Sequence, residues 1–229
     1  MRDLIKRFLA AHRGIRNAIR WLRWQAKKIP LVRDISIAID TKYFADAGME
    51  RPDTEHGEFD WEYFESYVRP LVASAHGRVL ELGCGHGFVS ERLAQSDAVA
   101  SVVAVDKISD FLRQHPKIEY RTLDLRSNDL PRGFDSIVTS EFIEHISEEE
   151  FTKLLSKVAL SLNPDGVFVG STPRNPTPYK TFSGSRFHVR EYSERDLKSL
   201  LSSRFNEVSV IPISEYCLIW TAEHPKLTS

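Results

Sequence analysis

Three alternating glycines form a short stretch that is suited to a nucleotide-like ligand. Gly83, Gly85 and Gly87 follow an apolar run at residues 78–82 and precede a helical pattern at residues 88–95. Glycine permits a sharp turn and lets a ligand approach the backbone closely, and the first turn of a helix offers N–H groups without helical partners. The spacing Gly-x-Gly-x-Gly differs from the Gly-x-Gly-x-x-Gly fingerprint of dinucleotide dehydrogenases.

Two carboxylates flank this glycine loop and narrow the choice of ligand. Glu81 lies inside the predicted strand just before the loop, where it suits a ligand with a cationic amine better than a pyrophosphate. Asp106 ends the next predicted strand, a position from which an acid accepts hydrogen bonds from a ribose diol. The pattern therefore favours a nucleoside that carries an amine.

A second group of chemically capable side chains follows the fourth predicted strand. If a helix begins at Glu141, then Glu141, Glu144 and His145 stand at i, i+3 and i+4 and share one helix face. His188 offers a further donor after a Pro-rich loop. Carboxylates combined with imidazoles predict a site for a divalent cation, with Mg²⁺ or Mn²⁺ favoured over zinc.

Other roles stay open for the same residues. Glu141 is also a candidate for binding the nucleoside ligand, and Glu144 for capping the helix or pairing with Arg190. His145 is a candidate general base without a metal, since the unperturbed pKa of histidine lies near neutral pH.

Strands alternating with helices are expected to position these groups. Apolar runs predict strands at residues 78–82, 101–106, 118–123, 134–140 and 167–171, and an antiparallel pair at residues 208–213 and 216–222. Helices are predicted at residues 88–95, from 141 to about 162, and at 193–203, where Ser193 is the N-cap. A turn is predicted at residues 163–166. The alternation indicates an α/β fold, a doubly wound and mainly parallel sheet covered on both faces.

The motifs in this order resemble those of class I S-adenosylmethionine-dependent methyltransferases. Residues 81–87, Glu-Leu-Gly-Cys-Gly-His-Gly, resemble the first motif of that family, and Asp106 matches its ribose-binding acid. Asp124 matches the residue often placed near the adenine amine. The resemblance spans residues 78–222 and implies a Rossmann-like fold with a seven-stranded sheet and S-adenosylmethionine as cofactor. The implied cofactor-binding residues are Glu81, Gly83, Gly85, Gly87, Asp106, Asp124 and Glu141.

The Glu-x-x-Glu-His run and the later histidine resemble narrower groups within this family. The run is similar to that of ubiquinone-pathway O-methyltransferases, and the set of two Glu and two His is similar to that of small-RNA 3′-terminal 2′-O-methyltransferases. Bacterial enzymes that act on cell-surface sugars carry both segments. The resemblance implies Glu144 and His145 as catalytic residues and a metal-ligand set of Glu141, Glu144, His145 and His188.

Charge divides the chain into a basic arm and an acidic body. Ten of the 31 Lys and Arg residues but one of the 32 acids lie in residues 1–33, so that segment carries +9 and the rest −10. The arm predicts a basic amphipathic helix with an apolar stripe at Leu4, Phe8, Ile15, Ile19 and Leu22. Such a helix either lies on an anionic membrane surface through residues 1–28 or docks on the body or on a second subunit.

The cysteine count and the N-terminal residues predict where the protein is located in the cell. Two cysteines, Cys84 and Cys217, are too few for a disulfide framework, and arginines interrupt the N-terminal apolar residues. We therefore expect a cytoplasmic protein without a secretory signal. If the arm binds a membrane, the protein would be in peripheral contact with the inner membrane surface. The predicted organisation is a helical arm at 1–33, a helical segment at 34–76, and an S-adenosylmethionine-binding domain at 77–229.

The favoured function is O-methylation of a hydroxyl on a sugar, a glycan or a small diol, with or without a divalent ion. The alternatives are an RNA 2′-O-methyltransferase and a metal-free enzyme with His145 as base. The acidic body opposes nucleic-acid binding, because phosphate contacts require clustered basic residues. The loop at residues 173–187 is expected to cover the acceptor and to set specificity, and Arg174, Lys180 and Arg186 within it favour an anionic acceptor.

Overall fold

The computed structural model describes residues 61–108, 111–175 and 188–226. Its helices are α1 (Trp61–Ser74), α2 (Phe88–Ala94), α3 (Glu148–Ser161) and α4 (Glu194–Ser202). Its strands are β1 (Gly77–Leu82), β2 (Val99–Asp106), β3 (Ile118–Thr122), β4 (Phe134–Ser140), β5 (Leu162–Pro173), β6 (Phe205–Pro212) and β7 (Cys217–Pro225). A 3₁₀ turn, Ile143–His145, separates β4 from α3.

All seven strands form one sheet in the order β3-β2-β1-β4-β5-β7-β6. Neighbours from β3 to β5 are parallel, whereas β7 runs antiparallel to both β5 and β6. The chain starts at β1 and proceeds outward in both directions, so the strand order reverses between β1 and β4. A crevice at the carboxyl ends of these strands is where open α/β sheets bind their ligands. The predicted doubly wound, mainly parallel seven-stranded sheet is confirmed.

Two apolar cores cover the two faces of the sheet. Leu80 and Leu82 of β1 pack into one core with α3 and α4, while Val79 packs into the other with α1 and α2. Because alternate residues of a strand point to opposite faces, one apolar strand serves both cores. This two-sided burial holds β1 rigidly and so fixes the start of the glycine loop.

The structure corrects the predicted helix after β4. Glu141 has a left-handed φ of 48°, and the chain makes a 3₁₀ turn before α3 begins at Glu148. Ser147 sets that start through a capping box, in which its hydroxyl accepts from the Glu150 N–H and the Glu150 carboxylate accepts from the Ser147 N–H. Glu141, Glu144 and His145 therefore do not share one α-helix face. The predicted N-cap of α4 is confirmed, since the Ser193 hydroxyl accepts from the Asp196 N–H.

The turn predicted at residues 163–166 is also corrected. These residues lie within β5, where Leu162 pairs with Phe134 and Val167 pairs with Ser136. The unequal spacing makes them a bulge in a continuing strand, so the breaker residues disturb the register without ending the strand.

Several predictions lie outside the described residues. These are the basic arm at 1–33, most of the helical segment at 34–76 and the greater part of the Pro-rich loop. The division of the chain into segments therefore stays a prediction. Among the described helices, none combines the length and the apolar character that crossing a bilayer requires.

Candidate active site

Pairing of β1 with β4 brings the two predicted groups of side chains to one edge of the sheet. Leu82 pairs with Thr139, whose hydroxyl donates to the Leu82 carbonyl at 2.9 Å. The glycine loop follows β1 and the 3₁₀ turn follows β4, and Phe142 of this second segment packs beneath Gly83. The glycine loop is therefore in contact with the segment that carries the candidate metal residues.

Each of the three glycines of the loop is required for a different structural reason. All three have positive φ, at 71° for Gly83, 51° for Gly85 and 91° for Gly87. A Cβ on Gly83 would lie 2.5 Å from the Phe142 ring, and a Cβ on Gly87 would overlap the Tyr120 hydroxyl. A Cβ on Gly85 would meet no atom within 4 Å among the described residues. Gly85 is thus the position where the backbone faces open space and a ligand has room to approach.

Asp106 holds the glycine loop from the neighbouring strand. Its Oδ2 accepts from the Gly85 N–H at 2.9 Å, and its Oδ1 accepts from the Ile108 N–H at 3.1 Å. Each carboxylate oxygen has a second lone pair. The same carboxylate that fixes the loop therefore retains the acceptors that a ribose diol requires.

Glu81 lies in the interior, directly beneath the glycine loop. Its carboxylate is buried and forms a short hydrogen bond with the Ser90 hydroxyl of α2. Burial raises the pKa of Glu81 from 4.5 to about 8, against the opposing effect of the Ser90 hydrogen bond and with a smaller contribution from the charge of Asp106. In this structure Glu81 braces β1 against α2, and the contact predicted to the amine of the donor stays a prediction.

Burial of Glu81 predicts a pH-dependent stability. Because the folded pKa exceeds the unfolded one, the contribution of Glu81 is fully present below about pH 4.5 and is lost as pH rises through about 8. We expect Glu81→Gln to lack this loss of stability. Between about pH 5 and pH 8 the free energy of unfolding of the wild type should fall by a few kcal/mol more than that of Glu81→Gln. Urea unfolding across this range measures the difference. Glu149→Gln, on the exposed face of α3, is the control, and equal pH slopes for all three proteins would contradict the assignment.

Asp124 is paired within its own loop. Its carboxylate forms a two-pronged ion pair with Arg126, at 2.9 Å to Nε and 2.7 Å to Nη2. The hydrogen bonds from Arg126 lower the pKa of Asp124 to about 2. The adenine contact predicted for Asp124 therefore competes with a strong local partner, and it stays a prediction.

Glu144 is a buried acid between the glycine loop and β5. Its side chain is 1% exposed, and its Oε2 accepts from the Thr172 hydroxyl at 2.9 Å. Its Oε1 has no hydrogen-bond partner among the described residues and lies 3.7 Å from His145 Nε2. Burial, and then the charge of Glu141, raise the pKa of Glu144 well above its ordinary value. A carboxyl in this position requires either a proton or a cation.

A three-residue group of possible metal ligands, named the donor group, is formed by Glu144, His145 and His188. One ligand atom of each lies within 4.8 Å of the others. The two imidazole rings meet edge to face, with their centroids 5.2 Å apart. His188 reaches the group because the backbone N–H groups of Val189 and Arg190 donate to the Glu144 carbonyl at 2.7 and 3.1 Å. Three of the four predicted metal ligands are thus brought together.

Glu141 does not belong to this donor group. Its left-handed backbone and the following 3₁₀ turn separate it from the helical geometry on which its predicted ligand role depended. Burial, followed by the charge of Glu141, raises the pKa of both Tyr63 and Tyr67 above the ordinary value. The charge of Glu141 therefore acts on the two tyrosines of α1 as well as on Glu144.

Sequence reasoning did not identify several residues that complete the site. Thr172 binds the Glu144 carboxylate, Glu191 binds the His188 ring, and Tyr67 approaches from α1. A signal for Glu191 existed, because it stands three residues after His188 in a short polar run. No comparable signal existed for Thr172 or Tyr67, since the sheet and the packing of α1 bring them to the site.

The alternatives proposed for Glu144 and Arg190 are also resolved. Arg190 forms ion pairs with Glu148 of α3 and, at 3.8 Å, with Asp196 of α4, and its guanidinium stacks over the Tyr192 ring. Its backbone, and not its side chain, contacts Glu144. The cap of α3 is Ser147, so Glu144 is neither the helix cap nor the ion-pair partner of Arg190.

A comparison with known families identifies the chain. The sequence model of a methyltransferase domain matches residues 56–206, which is more than half of the chain. The chain belongs to this methyltransferase domain family. The match confirms the predicted assignment to class I methyltransferases, the family that uses S-adenosylmethionine as the methyl donor.

Curated relatives of the methyltransferase include enzymes of ubiquinone biosynthesis. The ubiquinone biosynthesis O-methyltransferase of Bradyrhizobium diazoefficiens is 31% identical over 117 residues, which cover 48% of this chain and 45% of that protein. The mitochondrial ubiquinone biosynthesis O-methyltransferase of Bos taurus is 34% identical over 103 residues, which cover 39% of this chain and 26% of that protein. The chain spans about half the length, or less, of the curated relatives it matches.

Solved structures share the fold of the methyltransferase. DhpI in complex with SAH superposes with a TM-score of 0.63 at 18% identity, over 86% of this chain and 96% of DhpI. The 1,6-didemethyltoxoflavin-N1-methyltransferase of Burkholderia thailandensis, with bound 1,6-didemethyltoxoflavin and S-adenosylhomocysteine, superposes with a TM-score of 0.62 at 18% identity, over 84% of this chain and 89% of that enzyme. These likenesses confirm the predicted Rossmann-like methyltransferase fold.

Proposed function

We propose that this methyltransferase transfers the methyl group of S-adenosylmethionine to a hydroxyl of a sugar, a glycan or a small diol. A divalent ion assists the reaction and is held by Glu144, His145 and His188. The observation that carries the proposal is the convergence of one buried carboxylate and two imidazoles beside the glycine loop.

The glycine loop is suited to the proposed donor. Open space next to Gly85 lets a nucleoside approach the backbone, and the Asp106 carboxylate offers acceptors for the ribose hydroxyls. Both features lie at the carboxyl ends of β1 and β2, beside the reversal of strand order. The binding roles of Glu81, Asp124 and Glu141 toward the donor remain part of the proposal.

The donor group fits a divalent ion. A carboxylate that is buried and has one oxygen without a hydrogen-bond partner among the described residues is stabilised by a bound cation. The mixture of oxygen and imidazole ligands suits Mn²⁺ or Mg²⁺ and leaves room for the two oxygens of an acceptor diol. Such an ion would lower the pKa of an acceptor hydroxyl and orient it toward the donor methyl group.

Residues of the chain itself bind the donor and hold the Glu144 carboxylate in place. The glycine loop and Asp106 would hold the donor next to the segment that carries Glu144. In the transfer, the acceptor oxygen bonds to the methyl carbon, the carbon–sulfur bond breaks with its electrons going to sulfur, and the hydroxyl proton is released to solvent water. S-adenosylhomocysteine and the methyl ether are the products. Thr172 holds the Glu144 carboxylate in place through its hydroxyl.

The hydroxyl acceptor class is supported by the relatives and by the donor group. The aligned curated relatives carry the name O-methyltransferase, and two adjacent hydroxyls are the acceptor chemistry that a three-ligand metal site recognises. An anionic acceptor receives less support than the sequence suggested, because the Arg174 guanidinium is already paired with Glu194 at 2.7 Å. Membrane contact through residues 1–28 stays a prediction.

An acceptor screen with isotope-labelled S-adenosylmethionine tests this function. The panel contains simple sugars, a short glycan, an aromatic diol with its mono-hydroxyl analogues, and short single-stranded RNA, each after exhaustive chelation and after re-addition of Mg²⁺ or Mn²⁺. We expect methylation of diols that is lost on chelation and restored by the metal. Full turnover after chelation would contradict the role of the metal and would leave His145 as the candidate base. Methylation of RNA, with binding that depends on salt, would show that the acceptor is RNA and not a small diol.

A further inference from the structure

We propose that Glu191 is a positioning residue, which orients the His188 ring so that its Nε2 faces the divalent ion. This inference rests on the metal-assisted reaction proposed above and adds a residue outside the ligand set. Glu191 acts through His188, whose ring it contacts.

The contact between the two side chains is short and lies in the interior. His188 Nδ1 lies 2.8 Å from a carboxylate oxygen of Glu191. The Glu191 side chain is 4% exposed and that of His188 is 16% exposed, so water competes little for this hydrogen bond. A buried carboxylate in contact with an imidazole nitrogen is held in one geometry, because both groups would otherwise leave polar atoms without partners.

This contact selects one tautomer of the ring. A carboxylate is an acceptor, so the proton of a neutral His188 is stabilised on Nδ1. The lone pair then lies on Nε2, and this is the ring nitrogen that would bind the metal. Histidine ligands in metal sites usually donate their other ring N–H to such a partner, which fixes the ring and raises its basicity as a ligand.

The backbone around Glu191 is fixed independently of the side chain. Val189 and Arg190 donate to the Glu144 carbonyl, and the Tyr192 carbonyl accepts from the Asn175 N–H at 2.8 Å. The buried Tyr192 ring anchors the end of the segment in the core beneath α3 and α4. The backbone therefore determines how far His188 stands from Glu144, and the contact with Glu191 determines which nitrogen the ring presents.

The test compares Glu191→Leu with Glu191→Gln in the full-length protein. Leucine keeps a similar volume and removes the acceptor, whereas the amide oxygen of glutamine still accepts from Nδ1–H. Nitrogen NMR of the metal-free protein reports the His188 tautomer, and electron paramagnetic resonance reports Mn²⁺ affinity. Thermal unfolding and binding of S-adenosylhomocysteine show that the fold and the donor loop are intact, and Glu149→Gln is the exposed control.

We expect the wild type to carry the proton on Nδ1 and Glu191→Leu to shift toward the other tautomer. Its Mn²⁺ affinity is expected to fall about 10- to 100-fold, with partial recovery in Glu191→Gln. Unchanged Mn²⁺ affinity or an unchanged tautomer in Glu191→Leu would overturn the role of Glu191 alone. A wild type that binds no Mn²⁺ would overturn the metal-assisted reaction and this role with it. If Glu191→Leu does not fold, the Mn²⁺ affinity of Glu191→Gln carries the test: a loss smaller than that expected for leucine supports the role of Glu191, and an affinity equal to that of the wild type overturns it.

Discussion

Replacing Glu144 by glutamine is expected to lower turnover by about 10³-fold or more while the protein stays folded. The amide keeps the shape of the side chain and an oxygen that accepts from the Thr172 hydroxyl at the position of the present 2.9 Å contact. It removes the negative charge that would compensate a divalent ion held together with His145 and His188. Loss of the several kcal/mol that a metal supplies to the transition state corresponds to a rate effect of this size.

The measurement combines single-turnover methylation, donor binding and thermal unfolding on the same preparations. Donor affinity is expected to remain near that of the wild type, because the Glu144 carboxylate bonds to Thr172 and takes no part in the contact between Asp106 and Gly85. Glu149→Gln, whose side chain is exposed on α3, is expected to match the wild type in all three measurements. Wild-type turnover by Glu144→Gln would show that this carboxylate has no part in the reaction.

Replacing Asp106 by alanine is expected to weaken the binding of S-adenosylhomocysteine by about 100-fold or more. The substitution removes the acceptor of the Gly85 N–H, which holds the loop, and the acceptors proposed for the ribose hydroxyls. Hydrogen bonds to a charged group contribute about 1.5–3 kcal/mol each, so the loss of two to a ligand is worth about 3 kcal/mol or more. Isothermal titration calorimetry measures the change.

A deoxygenated ligand separates the ribose contact from the support of the loop. If Asp106 binds the ribose diol, a 2′-deoxy analogue of S-adenosylhomocysteine loses affinity for the wild type and loses little further affinity for Asp106→Ala. Equal losses for both proteins would mean that Asp106 serves the loop only. Normal binding of S-adenosylhomocysteine by Asp106→Ala would remove Asp106 from the donor site.

The two substitutions divide the site into a donor half and an acceptor half. Asp106→Ala is expected to change donor affinity, and Glu144→Gln is expected to change turnover at saturating donor. The contact of Phe142 with the glycine loop joins the two halves mechanically. A loss of donor affinity in Glu144→Gln would therefore indicate that the 3₁₀ turn has moved.

Features that depend on neighbours in the chain were predictable from the sequence. Glycines at positive φ, the acid at the end of β2, the cap at Ser193 and the alternation of strands with helices each require only local residue types. Because a two-sided apolar strand demands helices on both faces, these local features were sufficient to predict the doubly wound sheet. Three of the four predicted ligands lie in one cluster, and their role as metal ligands stays a prediction.

Two local predictions were wrong for physical reasons. The run beginning at Glu141 carries helical spacing, but the capping box at Ser147 provides the stronger start signal and delays α3 to Glu148. Residues 163–166 contain a proline and a glycine, but the pairing of β5 with β4 continues on both sides and absorbs them as a bulge. In both cases a hydrogen-bonding arrangement outweighed the propensity of the residues.

The sequence by itself determined the family, the donor loop and the presence of acids and imidazoles able to bind a metal. Only the tertiary structure decided which of them meet. Pairing of β4 with β5 places Thr172 beside the Glu144 carboxylate. Hydrogen bonds from the Val189 and Arg190 N–H groups to the Glu144 carbonyl place His188, which is distant in sequence, beside the same residue. Glu141, whose backbone is left-handed, lies outside the donor group. Such contacts depend on strand register and core packing, which no local pattern of residues contains.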